Sequence, residues 1–82
     1  MKTYFLLPEK MDSLRIQSMV QKANEFEHCQ IFLEYKELKL NAKSLLSMSL
    51  LSGAEGMCCL HANGKDSLEA LESIRALCTS VI

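Results

Sequence analysis

Between Gln30 and Asn41 the chain alternates with a period of two. Ile31, Leu33 and Tyr35 alternate with Gln30, Phe32 and Glu34, and Leu38 and Leu40 alternate with Lys39 and Asn41. Two short strands around a break at Lys36-Glu37 predict a hairpin. Lys43-Ser44-Leu45-Leu46 follows, a polar cap candidate ahead of an apolar turn, and predicts a short helix with Leu45, Leu46 and Leu50 available for burial. Residues 3–7 are another β-prone run, ended by Pro8, Glu9 and Lys10. From Asp12 the period changes: Ile16, Met19, Val20, Ala23 and Phe26 share one face of an amphipathic helix, with Asp12 or Ser13 supplying the N-cap oxygen.

The glycines in residues 52–56 predict a loop, and residues 57–62 a fourth strand closed by Asn63-Gly64. Asp66-Ser67-Leu68-Glu69 opens the last helix as an aspartate version of the capping box. Its apolar face is Leu68, Leu71, Ile74, Leu77 and Cys78, with Arg75 at the edge. The order is therefore βαββαβα. So little connecting chain cannot join four short strands as a parallel sheet, which leaves an α+β open-faced sandwich: a four-stranded antiparallel sheet with three helices on one face. Residues 1–82 make one domain, whose core is a single layer of helix against one sheet.

Composition narrows the function more than it names it. A net charge of −1 favours neither nucleic acid nor anionic lipid, and no apolar run reaches the length of a membrane span. The patch Tyr4-Phe5-Leu6-Leu7 is too short for the apolar region of a signal peptide and is interrupted by Pro8, so a cytoplasmic location is expected. Cys29, Cys58, Cys59 and Cys78 are then expected reduced and packed as small apolar groups. Cys58-Cys59-Leu60-His61 invites a metal reading, but residues 58 and 59 point to opposite faces of a strand and no C-x-x-C spacing occurs. Neither a metal nor a cofactor is expected.

The string Leu33-Glu34-Tyr35…Asn41-Ala42-Lys43-Ser44-Leu45-Leu46, with Met48-Ser49-Leu50 after it, resembles the middle of HPr, the histidine-containing phosphocarrier family of the bacterial sugar phosphotransferase system. Lys2-Thr3-Tyr4-Phe5-Leu6, Val20-Gln21-Lys22-Ala23, Gly64-Lys65-Asp66 and Glu69-Ala70-Leu71-Glu72 are similar to other parts of it, so the resemblance spans nearly the whole chain. It implies the same open-faced sandwich, with strand order 1-4-2-3. It also implies a phosphoryl site at the start of the first helix, where the family has His-Ala-Arg-Pro. This chain has Asp12-Ser13-Leu14-Arg15 there, so Asp12 or Ser13 takes the histidine's place and no imidazole is available. A serine ester is too stable to pass a phosphoryl group on, and an aspartyl phosphate needs a metal and a basic partner. His28 follows the first helix and His61 lies on an outward strand position, so neither stands in.

The expectation is a bacterial, non-enzymatic HPr-like domain that regulates or binds a protein without histidine phosphotransfer. The alternatives are a phosphotransferase component with an unusual acceptor, and a regulator phosphorylated on Ser44, the position modified in Gram-positive HPr and in catabolite repression HPr. By alternation Tyr4, Leu6, Ile31, Leu33, Tyr35, Cys58, Leu60 and Ala62 are expected to face the helices. Phe5, Leu7, Phe32, Glu34, Met57, Cys59 and His61 then face outward. Phe5, Phe32, Met57 and Cys59 would make an apolar outer patch, expected to contact a protein partner or to support a weak homodimer through the open face.

Overall fold

The computed structural model describes residues 1–7 and 10–79; the strand break expected at Pro8-Glu9 lies outside the described residues. The elements are β1 (Lys2–Leu7), α1 (Ser13–Asn24), β2 (Cys29–Tyr35), β3 (Leu38–Asn41), α2 (Leu45–Met48) running into a 3-10 turn (Ser49–Leu51), β4 (Gly56–Gly64) and α3 (Ser67–Thr79). The sheet is antiparallel throughout, in the order β1-β4-β2-β3. This is the expected α+β sandwich, with its core between the inner sheet face and the helices. The two-residue turn of the hairpin is made by Lys36, which takes the left-handed conformation (φ 55°), and Glu37.

β2 and β4 follow the expected phase: Ile31, Leu33, Cys58, Leu60 and Ala62 are buried. β1 does not. Phe5 and Leu7 are in the core, whereas Tyr4 and Leu6 are 57% and 61% exposed. Residues 4–7 are all apolar and carry no alternation from which to read a phase. The register decides it: Phe5 pairs with Cys58 and Tyr4 with Cys59, so Phe5 shares the inner face of Cys58. Phe5 is therefore removed from the outer patch. Lys2 was the available signal, because a lysine that must face water puts Tyr4 and Leu6 outward with it.

The helices bring two more corrections. Leu45, Leu46 and Leu50 are exposed, and Met48 and Leu51 are buried instead. α2 is one turn long, so only one residue from it and one from the 3-10 turn, three positions apart, reach the core. On α3 the buried set is Ala70, Leu71, Ile74 and Cys78, and Leu68 in the first turn is exposed. Asp66 stands at φ 61°, not in the extended conformation that a capping box uses, and its carbonyl accepts from the Ala70 amide at 2.9 Å. Gly64 is required by contact: a Cβ there would lie 2.4 Å from the carbonyl oxygen of His28.

Candidate functional site

Asp12 is the N-cap of α1. It is extended (φ −111°, ψ 171°), and its carboxylate accepts from the Arg15 amide at 2.8 Å. The loop before it is fastened to the loop before β4: the Met11 amide donates to the Ala54 carbonyl, and the Gly53 amide to that of Met11, both at 2.9 Å. Met11 is itself buried. These bonds lay the start of α1 beside the 3-10 turn, and Ser13, Ile16, Gln17, Leu45, Ser49 and Ser52 line a shallow groove of about 280 Å³ between them.

The other end of α2 is tied to the other end of α1. The Asn24 side-chain amide donates to the Lys43 carbonyl at 3.0 Å, and the Lys43 ammonium to the Phe26 carbonyl at 2.6 Å. Ser44, the N-cap of α2, accepts from the Ser47 amide at 3.2 Å. Asp12 thus caps the N-terminal end of α1 while Ser44 follows Lys43, which is tied to the C-terminal end of the same helix, and among the described residues no hydrogen bond joins the two. Around them Leu14, Leu45, Leu46 and Leu50 are exposed, Leu46 at 85%. Residues 12–24 contain no histidine. His28 lies past the C-terminal end of α1, and His61 lies on the sheet face away from the helices.

That outer face brings together residues from separate strands. Cys59 on β4 lies between its partners Tyr4 on β1 and Glu34 on β2, and His61 between Lys2 and Phe32. The His61 ring stacks on Phe32 at a centroid distance of 4.6 Å and an interplanar angle of 12°. His61 Nε2 is hydrogen-bonded to Glu34 Oε1 and lies 3.4 Å from Cys59 Sγ. Of the outer patch expected from the sequence, Phe32, Met57 and Cys59 do face outward; Met57 is exposed, and Cys59 is covered by its neighbours to 7%. Alternation alone puts Glu34, Cys59 and His61 on the outer face without bringing them together. The i, i+2 spacing of Cys59 and His61 was the only local sign, and Glu34 reaches them only through the β2–β4 register.

The inner thiols differ. Cys58 and Cys78 are both pushed up to about 12 from 9.0, chiefly by burial, with each raised further by a neighbouring cysteine; Arg15 offsets part of the rise at Cys78. All four cysteines are free thiols. Among the described residues no helix is long and apolar enough to cross a membrane.

Comparison with known proteins places this geometry. A family model described as "PTS HPr component phosphorylation site" matches residues 15–80. The HPr-C-His structure from Thermoanaerobacter tengcongensis superposes with a TM-score of 0.87 at 26% identity, over 98% of this chain and 92% of that one. Crh, the catabolite repression protein of Bacillus subtilis, whose crystal structure is a domain-swapped dimer, is 36% identical over 84% of this chain and 79% of its own, with a TM-score of 0.70. An HPr dimer from Thermoanaerobacter tengcongensis is 29% identical, with a TM-score of 0.72, over 82% of this chain and 77% of that one. No curated protein sequence matches the chain. With the family model covering residues 15–80 and the sandwich reproduced element by element, the chain belongs to the HPr family.

Proposed function

We propose that this HPr-family chain is a regulatory, protein-binding domain that does not carry a phosphoryl group on histidine. The observation that carries the reading is the first turn of α1. A carboxylate, not an imidazole, stands at the helix N-terminus, and it already occupies the amide that would face a bound anion. A second negative charge brought to that end would be repelled by Asp12 and would compete with it for the positive end of the helix dipole. The exposed leucines support the protein-binding half. Leu14, Leu45, Leu46 and Leu50 leave an apolar surface around the groove between α1 and α2, of a kind that protein partners cover.

Incubation with enzyme I and phosphoenolpyruvate is the test. The expected result is no acid-labile phosphate on the chain. Such phosphate, lost on substitution of His28 or His61, would establish a phosphocarrier and end this reading.

A second reading, phosphorylation of Ser44 in a catabolite-repression role, draws support from the likeness to Crh and from the site itself. The Ser44 hydroxyl is half-buried beside exposed Leu45 and Leu46, and its oxygen acts as an acceptor in the cap. HPr kinase and ATP would move the γ-phosphoryl group onto that oxygen and release ADP. Labelling that survives Ser44→Ala would sink it.

A further inference from the structure

We propose that Glu34, Cys59 and His61 form a binding site for a zinc-class divalent cation on the outer face of the sheet. It is independent of the reading at α1 and α2, which lie on the other side. These three are the only group of ligating side chains among the described residues whose donor atoms all lie within 4.8 Å of one another.

The arrangement is that of ligands around a common point. In a thiol–imidazole–carboxylate relay the thiol meets one ring nitrogen and the carboxylate the other. Here the Cys59 sulfur and the Glu34 carboxylate both meet His61 Nε2. That rules out a relay and leaves three donors converging. Bonds of about 2.3 Å to sulfur and about 2.0 Å to nitrogen, at a tetrahedral angle, set the two donor atoms about 3.5 Å apart. Cys59 Sγ and His61 Nε2 stand at 3.4 Å. Glu34 is on the exposed side of the cluster, with 46% of its side chain open to solvent, and can swing out to admit the ion without moving the backbone.

The donor chemistry selects the metal. One thiolate, one imidazole and one carboxylate suit zinc, whereas magnesium and calcium take oxygen ligands alone. On binding, Cys59 would ligate as the thiolate and His61 through an unprotonated Nε2, the protons released passing to solvent. A divalent ion with two anionic ligands is then electrically neutral. The nearby ammonium groups of Lys2 and Lys39 lie over aromatic rings, 5.7 Å from the centroid of Tyr4 and 4.3 Å from that of Phe32.

Two features pre-set the site. Stacking on Phe32 fixes the plane of the His61 ring, and the β2–β4 register, which pairs Glu34 with Cys59 and Phe32 with His61, fixes the three backbones. Three protein ligands leave a fourth position for a water, and two of them, Glu34 and Cys59, also line a groove of about 250 Å³ with Tyr4, Lys36, Met57 and Cys58.

Titration of the reduced chain with cobalt(II), a coloured stand-in for zinc, tests the proposal. The expected spectrum has a thiolate-to-metal charge-transfer band and intense tetrahedral ligand-field bands. It should saturate at about one equivalent per chain and be discharged by zinc. Cys59→Ser should remove the charge-transfer band. Glu34→Gln, at an exposed position that leaves the fold intact, should weaken binding and abolish the rise in melting temperature that zinc gives the parent. Phe32→Leu, which frees the imidazole, should cost about 10–100-fold in affinity, as loss of an orienting neighbour does. A spectrum with no thiolate band overturns the proposal. So does one that Cys59→Ser leaves unchanged, since the band would then come from Cys29, Cys58 or Cys78, none of which belongs to the cluster, or a melting shift equal in parent and Glu34→Gln.

Discussion

On the inner face of the sheet Cys58 lies in the core with Phe5, Leu33 and Leu60, and burial pushes its thiol up to about 12. One residue on, Cys59 lies between Tyr4 and Glu34 with the imidazole of His61 at 3.4 Å. Both cysteines are hidden from solvent, so burial alone does not separate them. Their neighbours do. Strand alternation gives the first thiol apolar partners that leave it only a space-filling role, and gives the second an imidazole and a carboxylate with which it can act.

The largest expected effect tests which face is which. Phe5→Ala should lower stability by about 3–5 kcal/mol in urea unfolding, as truncation of a buried aromatic does, whereas Leu6→Ala should stay within about 0.5 kcal/mol. If Leu6 proved the costlier of the two, the β1 phase and the comparison of faces would both fall.

The next effect belongs to an inner thiol. Cys78 is fully buried, and its folded-state value of about 12 lies above the ordinary 9.0, so between these the native chain holds a proton that the unfolded chain has lost. Its contribution is intact below pH 9 and is lost as the pH rises towards 12. Unfolding midpoints measured across that window should fall, and should fall less steeply in Cys78→Ala. Equal slopes in both proteins would show that this thiol is not shielded.

How much of this was legible in the sequence depends on where the determining information lies. The hairpin, α1 and the antiparallel pairing could be read because local alternation, a cap residue and short connections fix them, whereas the strand order came only with the resemblance to HPr. β1 could not, because four consecutive apolar residues define no phase and only pairing with β4 chooses one. The leucines of the α2 region were misplaced because a one-turn helix has room for few inward positions, a length that no residue in it announces. Ser44 carries its cap signal locally, whereas Glu34, Cys59 and His61 come from two strands and meet only once the register is known.

A smaller effect on the helical side is expected at that serine. Ser44→Ala removes the acceptor for the Ser47 amide and should cost about 0.5–2 kcal/mol in thermal or urea unfolding. Ser44→Asp, which retains an acceptor, should recover most of the loss. No loss in Ser44→Ala would mean that water replaces the cap, and would leave Ser44 without a structural reason to be there.

The smallest effect on stability is expected on the open face, where the change should appear in association instead. Tyr4, Leu6 and Met57 are each more than half exposed, and Leu6 pairs with Met57 across β1 and β4, so the outer patch is displaced by one position on β1 from that expected by alternation. Burying such side chains completely contributes about 1.5–3 kcal/mol apiece, against about 4–15 kcal/mol for bringing two chains together. A contact through this patch alone is therefore weak, and sedimentation should detect it only at high concentration. Leu6→Asp should then shift the chain to monomer while its urea midpoint stays where it was, because the residue contributes nothing to the core. A dimer that survives Leu6→Asp would place the contact elsewhere, as in the swapped dimer of Crh, and a variant that unfolds would return Leu6 to the inner face.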